Sequence, residues 1–109
     1  MTKHLLIGGM VAGGFDRSGA FLLTVSHSGR GVFSVGTWQR VARDGTPIYP
    51  EAGSVLGIGP ISGEKIPVRE IDYSSGVLEF DSPDRKWSLR YSDGTLTVCS
   101  ENDASQKNA

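Results

Sequence analysis

The strongest constraint on the fold is a hairpin signal near the carboxyl end of the chain. Apolar and polar residues alternate over residues 87–91 and again over 95–98, which is the period of a strand with one buried face. Asp93-Gly94 separates these runs, and this pair favours a two-residue hairpin turn. The turn and the pattern predict the same register, because both place the apolar residues on one face. In that register Tyr91 faces Leu96, Leu89 faces Val98 and Ser88 faces Cys99.

Two further strands are predicted upstream, over residues 66–73 and 77–80. Ser74-Ser75-Gly76 lies between them, and Gly76 supplies the left-handed position of a short hairpin loop. Ser82-Pro83-Asp84-Arg85 follows, with proline at the second position of a type I turn. The sequence therefore predicts a C-terminal four-stranded antiparallel meander over residues 66–100.

The amino-terminal half is less regular. Residues 5–12 are apolar on both faces and contain a glycine pair, which indicates a buried strand with a bulge. A signal segment over residues 5–15 is the alternative, because a lysine precedes the apolar run. The glycines within the run and the lack of a small-residue cleavage site favour the strand. Residues 21–25 and 32–35 predict two more strands, joined by a turn at Ser28-Gly29.

Residues 37–43 are open to two interpretations. Thr37 is a suitable helix N-cap and apolar residues follow it at helical spacing, which predicts a helix of about two turns. A continued strand is nearly as well supported. In the helix, Arg40 and Arg43 would be neighbours, three residues apart on the outer side.

Composition agrees with many short strands. The chain has 15 glycines in 109 residues, about twice the usual share, and glycine suits turns better than helix interiors. We predict a single all-β domain over residues 1–100, with about seven or eight strands and at most one short helix. An antiparallel sandwich and an open rolled barrel fit equally well. Residues 101–109 are small and polar, and we expect a disordered C-terminal tail there.

One pattern occurs twice in the chain. Phe15-Asp16 and Phe80-Asp81 are each followed by a polar turn, an alternating strand and a hairpin turn, at Ser28-Gly29 and Asp93-Gly94 respectively. The pattern resembles the hairpins of β-propeller blades over about 40 residues. A propeller needs at least four blades of roughly 40–45 residues, which is more than this chain holds. Two ordinary hairpins with the same turn chemistry are the simpler interpretation.

Charge and cysteine content argue against several partners. The 11 lysines and arginines balance 12 aspartates and glutamates, for a net charge of −1, whereas nucleic acids and anionic membranes attract a basic excess. We therefore expect neither partner. Cys99 is the only cysteine, so the sequence offers no internal disulfide and no cysteine-based zinc cluster. A lone thiol suits a reducing compartment, and we expect a cytoplasmic protein without metal or cofactor.

The sequence carries no catalytic signature. Its glycine runs lack the lysine and hydroxyl residue of a phosphate-binding loop. The two histidines, His4 and His27, do not have metal-ligand spacing. Cys99 lies in a strand-like segment and is expected to be a packing residue. The balance leans away from an enzyme.

The segment most suggestive of binding is residues 27–51, where aromatic and charged side chains are interleaved. Tryptophan, tyrosine and arginine are enriched at protein-binding hot spots. The candidate partner-binding residues are Arg30, Trp38, Arg40, Arg43 and Tyr49. The competing interpretation is that Trp38 belongs to the core and the arginines form a solvated face.

Three functions fit this sequence. The first is a small non-catalytic protein-interaction module, whose narrower form is an inhibitor or neutralising partner of another protein. The second is a small-ligand-binding protein or hydrolase-type enzyme with a site assembled across strands, which a pocket joining His27 or Cys99 to a carboxylate would favour. The third is a structural subunit that forms a homo-oligomer through an edge strand. The first is our hypothesis.

Overall fold

The computed structural model describes residues 2–45 and 53–100 of the 109-residue chain. These residues form eleven strands, all paired antiparallel, and one short 3-10 turn at Gly59–Ile61. The predicted all-β class is confirmed. Eleven strands replace the predicted seven or eight because the chain between the hairpins is divided into short pieces with different neighbours. The tail predicted over residues 101–109 lies outside the described residues.

Nine strands form two sheets and two form a ribbon. The four-stranded sheet consists of β1 (Thr2–Leu6), β9 (Leu78–Asp81), β10 (Trp87–Ser92) and β11 (Thr95–Ser100), in the order β1-β11-β10-β9. The five-stranded sheet consists of β2 (Met10–Phe15), β3 (Phe21–Ser26), β4 (Gly29–Ser34), β5 (Arg40–Asp44) and β8 (Arg69–Glu70), in the order β5-β4-β3-β2-β8. The ribbon consists of β6 (Ser54–Leu56) and β7 (Lys65–Pro67).

The five-stranded sheet lies between the other two layers. One of its faces packs on the four-stranded sheet in a single apolar cluster, which includes Leu22, Phe33, Leu89 and Val98. Its opposite face packs on the ribbon and the 3-10 turn in a second cluster, which includes Leu23, Val32, Ile61 and Ile66. The architecture is therefore a β-sandwich with a third, smaller layer on one side.

The two sheets contain the same three-stranded unit. The upstream unit is β2-β3-β4 and the downstream unit is β9-β10-β11. Each unit ends in a hairpin of two six-residue strands joined by two residues, and Trp87 corresponds to Phe21, 66 positions earlier. The upstream turn predicted at Ser28-Gly29 is wrong by one residue: the turn is His27-Ser28, because Gly29 already pairs with Ser26. A fourth strand completes each sheet. It is β5 beside the upstream unit and β1, from the other end of the chain, beside the downstream unit.

The turns between the first two strands of each unit share one hydrogen-bonding scheme. The N–H of Asp16 donates to the carbonyl oxygen of Phe21 at 3.1 Å, and the N–H of Ser82 donates to that of Trp87 at 2.9 Å. The N–H groups of Phe21 and Trp87 donate back to the side chains of Asp16 and Ser82. Asp16 therefore corresponds to Ser82. The sequence pattern matched Asp16 with Asp81, which is one residue before the true counterpart, Ser82.

The two units stack head to tail rather than face to face. Leu23 and Leu89 occupy corresponding positions, but Leu23 packs towards the ribbon and Leu89 towards the five-stranded sheet. On the opposite face, buried Leu22 corresponds to exposed Ser88. The stack therefore ends at the four-stranded sheet with a polar outer face, as terminal units of stacked repeats do.

The predicted meander over residues 66–100 holds for its last three strands, and the predicted hairpin register is confirmed. The predicted strand 66–73 is wrong: it is divided between β7 of the ribbon and β8 of the five-stranded sheet. Pro67 has no N–H with which to continue a ladder. Its carbonyl oxygen crosses so close to Gly14 that any Cβ there would collide with it. The four-stranded sheet takes β1 as its fourth strand instead.

The apolar run over residues 5–15 belongs to the sandwich. It supplies the end of β1 and the whole of β2, whose six residues are all buried. The predicted single strand over residues 5–12 is wrong, because β1 ends at Leu6 in one sheet and β2 begins at Met10 in the other, after a turn at Gly8-Gly9. A bulge is present within β2, where the register with β3 shifts between Met10 and Ala12. Within residues 2–45 and 53–100, no helix has the length and apolar character needed to cross a membrane.

Candidate functional site

The helix predicted over residues 37–43 is wrong. The N–H of Trp38 donates to the carbonyl oxygen of Ser34 at 2.7 Å, and the chain turns back to enter β5 as an edge strand. Trp38 has φ of +58°, which lies outside the right-handed helical region. The hydroxyl of Thr37 accepts from the N–H of Gln39 at 3.4 Å, a turn contact typical of threonine. The alternative of a continued strand is not observed either: β4 ends at Ser34, residues 35–37 form a turn, and Arg40–Asp44 form a separate strand that pairs antiparallel with β4.

A bulge in β5 places Arg40 and Arg43 on the same face of the sheet. Arg40 pairs with Phe33 and Arg43 pairs with Gly31, with a register shift between these pairs. The shift inserts one extra residue, so positions three apart face the same way, which an unbroken strand would not allow. Both arginines are exposed and line one cleft. The bulge thus produces the adjacency that the sequence suggested for a helix.

Of the other three candidate residues, only Arg30 borders the same cleft, and its guanidinium group is engaged elsewhere. Trp38 is 2% exposed and stacks edge to face on Trp87, with ring centroids 5.2 Å apart, so its side chain packs in the core. Arg30 points to the ribbon side of the sheet, where it forms an ion pair with Asp44 and donates to a backbone carbonyl oxygen of β6. Tyr49 lies outside the described residues.

A cleft of about 220 Å³ opens beside Arg40 and Arg43, at one end of the boundary between the two sheets. Its floor is the end of the β3–β4 hairpin, one wall is β5, and Ile7 of the β1–β2 connection stands opposite. The connection is held in place by Tyr91. Its buried hydroxyl donates to the carbonyl oxygen of Ile7 at 2.6 Å and accepts from the N–H of Met10 at 3.1 Å. The walls of the cleft are therefore anchored to the core.

The floor of this cleft is polar, on a sheet face that is otherwise apolar. Thr24 and Ser26 are only 3% and 9% exposed. Ser26 Oγ lies 3.1 Å from the carbonyl oxygen of Gly29 and 3.1 Å from Ser28 Oγ. The Thr24 hydroxyl donates to the carbonyl oxygen of Gly31 at 3.4 Å. Sequence reasoning missed these hydroxyls. The available signal was that Thr24 and Ser26 share a strand face with the core residue Leu22.

Neither arginine has a carboxylate partner among residues 2–45 and 53–100. The guanidinium of Arg40 lies over the ring of Phe33, 5.2 Å from its centroid, which is a cation–π contact. Arg43 makes no hydrogen bond or ion pair with these residues. Asp44 also borders the cleft, but its carboxylate is held by Arg30. The cleft therefore carries two positive charges that the described part of the chain does not neutralise.

A larger groove runs along the opposite end of the sandwich. It has two adjoining parts of about 870 and 460 Å³, which share Phe15, Pro67 and Pro83 in their linings. The rings of Phe15 and Phe80 stack edge to face at its base, with centroids 5.8 Å apart. Its charged lining is mixed in sign, with Arg17, Lys65, Arg69 and Arg85 against Asp16, Glu64 and Asp81. The groove therefore has no single charge character.

The chemistry that would indicate an enzyme is not assembled in these three concave sites. Neither His27 nor Cys99 lines them. The described ranges contain no group of three or more histidine, cysteine, aspartate or glutamate residues placed to hold a metal ion. Hydrogen bonds from Ser74 and Ser82 lower the pKa values of Asp72 and Asp84, respectively. Both carboxylates lie in exposed turns, so these shifts reflect turn geometry rather than an acid–base pair.

Comparisons with known protein families, with curated proteins and with solved structures each found no match to this chain. A sandwich fold alone does not define a function, because the same architecture carries many unrelated sites. Function is therefore inferred from the geometry of the sites themselves. The cleft beside Arg40 and Arg43 is the site with a defined charge, a built floor and two unneutralised side chains.

Proposed function

We propose that this protein is a small non-catalytic protein-interaction module that binds its partner through Arg40 and Arg43. The supporting observation is that two exposed guanidinium groups stand on one face of β5 without a carboxylate partner among the described residues. An acidic group on the partner supplies that missing charge. Inhibition or neutralisation of another protein, the narrower hypothesis, is one form of this function.

The arrangement favours arginine over lysine and binding over mere solvation. A guanidinium group is planar and forms two parallel hydrogen bonds with one acidic group. Arg40 is already oriented by its contact with Phe33, so less side-chain freedom is lost when a partner binds. The strand below is fixed by pairing with β4 and by Ala42, which packs on the second apolar cluster. The two charges are therefore presented by a rigid element.

A pull-down with matched variants tests this proposal. Tagged chain is incubated with lysate of its native source as wild type, as Arg40→Ala/Arg43→Ala, and as the control Arg17→Ala/Arg69→Ala. Both double variants remove two exposed arginines, but the control removes them from the large groove. A stoichiometric partner is identified by mass spectrometry, purified, and its affinity measured for each variant.

We expect the Arg40→Ala/Arg43→Ala chain to bind the partner at least about tenfold more weakly, while the control binds as wild type does. The melting temperature of both variants stays near that of wild type, because exposed residues contribute little to stability. Wild-type affinity of Arg40→Ala/Arg43→Ala for the partner would show that β5 does not form the binding surface.

The large groove supports a second candidate, binding of a small ligand. An apolar base with polar groups around it is the usual character of ligand pockets, and Phe15 and Phe80 provide such a base. A ligand there raises the melting temperature in proportion to its occupancy. A small-molecule screen assigns function to the groove if ligands stabilise wild type and Arg40→Ala/Arg43→Ala equally, but not Arg17→Ala/Arg69→Ala.

Self-assembly through an edge strand, the third hypothesis, has less support. Charged residues on exposed edges oppose pairing between copies, and the edge strands β1 and β5 carry Lys3, Arg40 and Arg43. The polar outer face of the four-stranded sheet likewise opposes stacking. Light scattering tests self-assembly. The mass of a single chain at every concentration would exclude it, and a mass that rises with concentration would support it.

A further inference from the structure

Arg40 and Arg43 border a recess rather than a flat surface, and the shape of the recess narrows the chemistry of its ligand. Gly31 forms part of the floor. A Cβ at this glycine would lie 3.5 Å from Nε of Arg40 and 3.3 Å from Oγ1 of Thr24. The contact with Thr24 would be tight and the contact with Arg40 an ordinary van der Waals contact, so a side chain at Gly31 would fill the floor between these two residues.

The floor also offers a hydroxyl donor. Ser28 is exposed, and its Oγ lies 3.1 Å from Ser26 Oγ. Because Ser26 donates its single hydroxyl proton to the carbonyl oxygen of Gly29, Ser28 is the donor of this pair in the unbound chain, and rotation of its hydroxyl would redirect that proton to a ligand. Ser26 and Thr24 are buried beneath and bond to backbone carbonyl oxygens. Arg40, Arg43 and Ser28, which carry N–H and O–H donors, therefore line the same cleft.

The charge of the cleft matches a doubly negative group. Its only carboxylate in the described lining, that of Asp44, is held in an ion pair by Arg30. This leaves the two positive charges of Arg40 and Arg43 adjacent on one strand face, where they repel each other until an anion binds. A phosphoryl group carries close to two negative charges at neutral pH and three acceptor oxygens, and arginine pairs bind it through charge-assisted hydrogen bonds.

We propose that this cleft binds a tetrahedral oxyanion, as free phosphate or as a phosphoryl group, through Arg40, Arg43 and Ser28. The inference deepens the proposed function and rests on it for the source of the group, which is a phosphorylated side chain of the partner protein. Free phosphate is the alternative source of the same chemistry. The partner is thus recognised by a modification that adds charge, and binding depends on whether that modification is present.

Titration with inorganic phosphate tests the site without the partner. Full-length chain labelled with ¹⁵N is titrated while amide and arginine Nε–H signals are followed by NMR, with chloride replacing phosphate at equal ionic strength as the reference. We expect saturable shifts confined to residues 26–31 and 40–45. Arg40→Ala/Arg43→Ala should weaken phosphate binding at least about tenfold, and Arg17→Ala/Arg69→Ala should leave it unchanged. Shifts that equal those of chloride, or that persist in Arg40→Ala/Arg43→Ala, would overturn the proposal.

A variant that changes the shape of the cleft without changing its charge tests whether the shape contributes to phosphate binding. Gly31→Ala places a methyl group on the floor against Arg40 and Thr24 and should weaken phosphate binding several-fold. Gly8→Ala is the matched control, because nothing lies within 4 Å of a Cβ at Gly8. Ser28→Ala removes the hydroxyl donor from an exposed position and should weaken binding by a smaller factor, which covers the case in which Gly31→Ala does not fold. Unchanged affinity in both variants would overturn the role of the cleft.

Phosphatase treatment of the lysate distinguishes the two sources and the two proposals. Loss of the partner after treatment, together with competition by phosphate, supports a phosphoryl group on the partner. Phosphate binding with a partner that survives treatment identifies free phosphate as the ligand. A partner that needs Arg40 and Arg43 but is insensitive to phosphate and phosphatase refutes the oxyanion site and leaves the proposed function standing. Phosphate binding together with a partner whose affinity is unchanged in Arg40→Ala/Arg43→Ala supports the oxyanion site and refutes the proposed function.

Discussion

The upstream and downstream units share strand lengths, hairpins and turn hydrogen bonds, but they differ on the face that looks away from the ribbon. In the upstream unit this face carries Leu22 and is buried between the sheets. In the downstream unit the corresponding residue is Ser88, and the face is polar and open. Turn residues therefore set the backbone of a unit, whereas alternate residues of its strands decide whether another layer can pack on it.

Within the buried face of the upstream unit, the cleft is the departure from this rule. Thr24, Ser26 and Gly31 stand where apolar residues would continue the packing against the four-stranded sheet. Large apolar side chains at these three positions would have filled the cleft. Positions that break a local folding rule without a structural gain are where function is expected. The difference between the units therefore points to the same place as the arginine pair.

The largest expected difference in stability between the two units is at Leu22 and the corresponding Ser88. Leu22→Ala removes a fully buried side chain from the boundary between the sheets and should cost about 3 kcal/mol of unfolding free energy. Ser88→Ala, the same position in the downstream unit, should change stability by less than about 0.5 kcal/mol, because it is exposed. Urea denaturation measures both. Similar losses for the two variants would mean that the outer face is not open in solution.

The next effect comes from Tyr91, whose counterpart in the upstream unit is Val25. Only Tyr91 reaches the β1–β2 connection, where its hydroxyl bonds Ile7 and Met10. Tyr91→Phe leaves a buried carbonyl oxygen and a buried N–H without partners, which should cost about 2 kcal/mol. Urea denaturation gives the loss, and amide exchange at Met10 should accelerate with it. An unchanged exchange rate at Met10 would contradict this account of the connection.

A smaller effect tests the equivalence of the two turns. Asp16 accepts hydrogen bonds from the N–H groups of Ser18 and Phe21, so Asp16→Ala should cost about 1–2 kcal/mol. The downstream turn uses the reverse order, with serine at 82 and aspartate at 84. Asp16→Ser/Ser18→Asp copies that order and should recover most of the loss in thermal unfolding. A double variant as unstable as Asp16→Ala would show that the two turns are not stabilised in the same way.

The smallest effect is a pH dependence that arises in the downstream turn. The hydroxyl of Ser82 and the N–H of Lys86 hold the pKa of Asp84 below its ordinary value of 3.8. A carboxyl group with a lowered folded-state pKa contributes stability above its unfolded value, and that contribution is lost as pH falls through the folded value. The melting-temperature difference between wild type and Asp84→Asn should therefore shrink below about pH 4. A difference that grows on acidification would contradict the assigned hydrogen bonds.

The parts of the fold that the sequence predicted were those set by local chemistry. The register of β10 and β11 was predictable because Asp93-Gly94 and the alternation imposed the same pairing. The division of residues 66–73 was not, since it depends on Gly14 in a distant strand. The interpretation of residues 37–43 failed because a bulge gives two residues three apart the same face, as a helix does.

The candidate site was predictable only in part for the same reason. Arg40 and Arg43 could be selected as arginines near each other, but their cleft requires β5 to pair with β4. Thr24 and Ser26 alternate with apolar residues, like the polar positions of any half-buried strand. That their face is covered by a second sheet follows from the stacking of the two units, which the spacing of residues does not reveal.

Hydrogen–deuterium exchange of the chain with and without its captured partner locates the binding surface without altering any residue. We predict that the partner slows exchange in residues 26–31 and 40–45, around the cleft, and leaves exchange in the large groove unchanged. Protection confined to residues 64–70 and 81–85, which line the groove, would contradict the claim that this protein binds through Arg40 and Arg43.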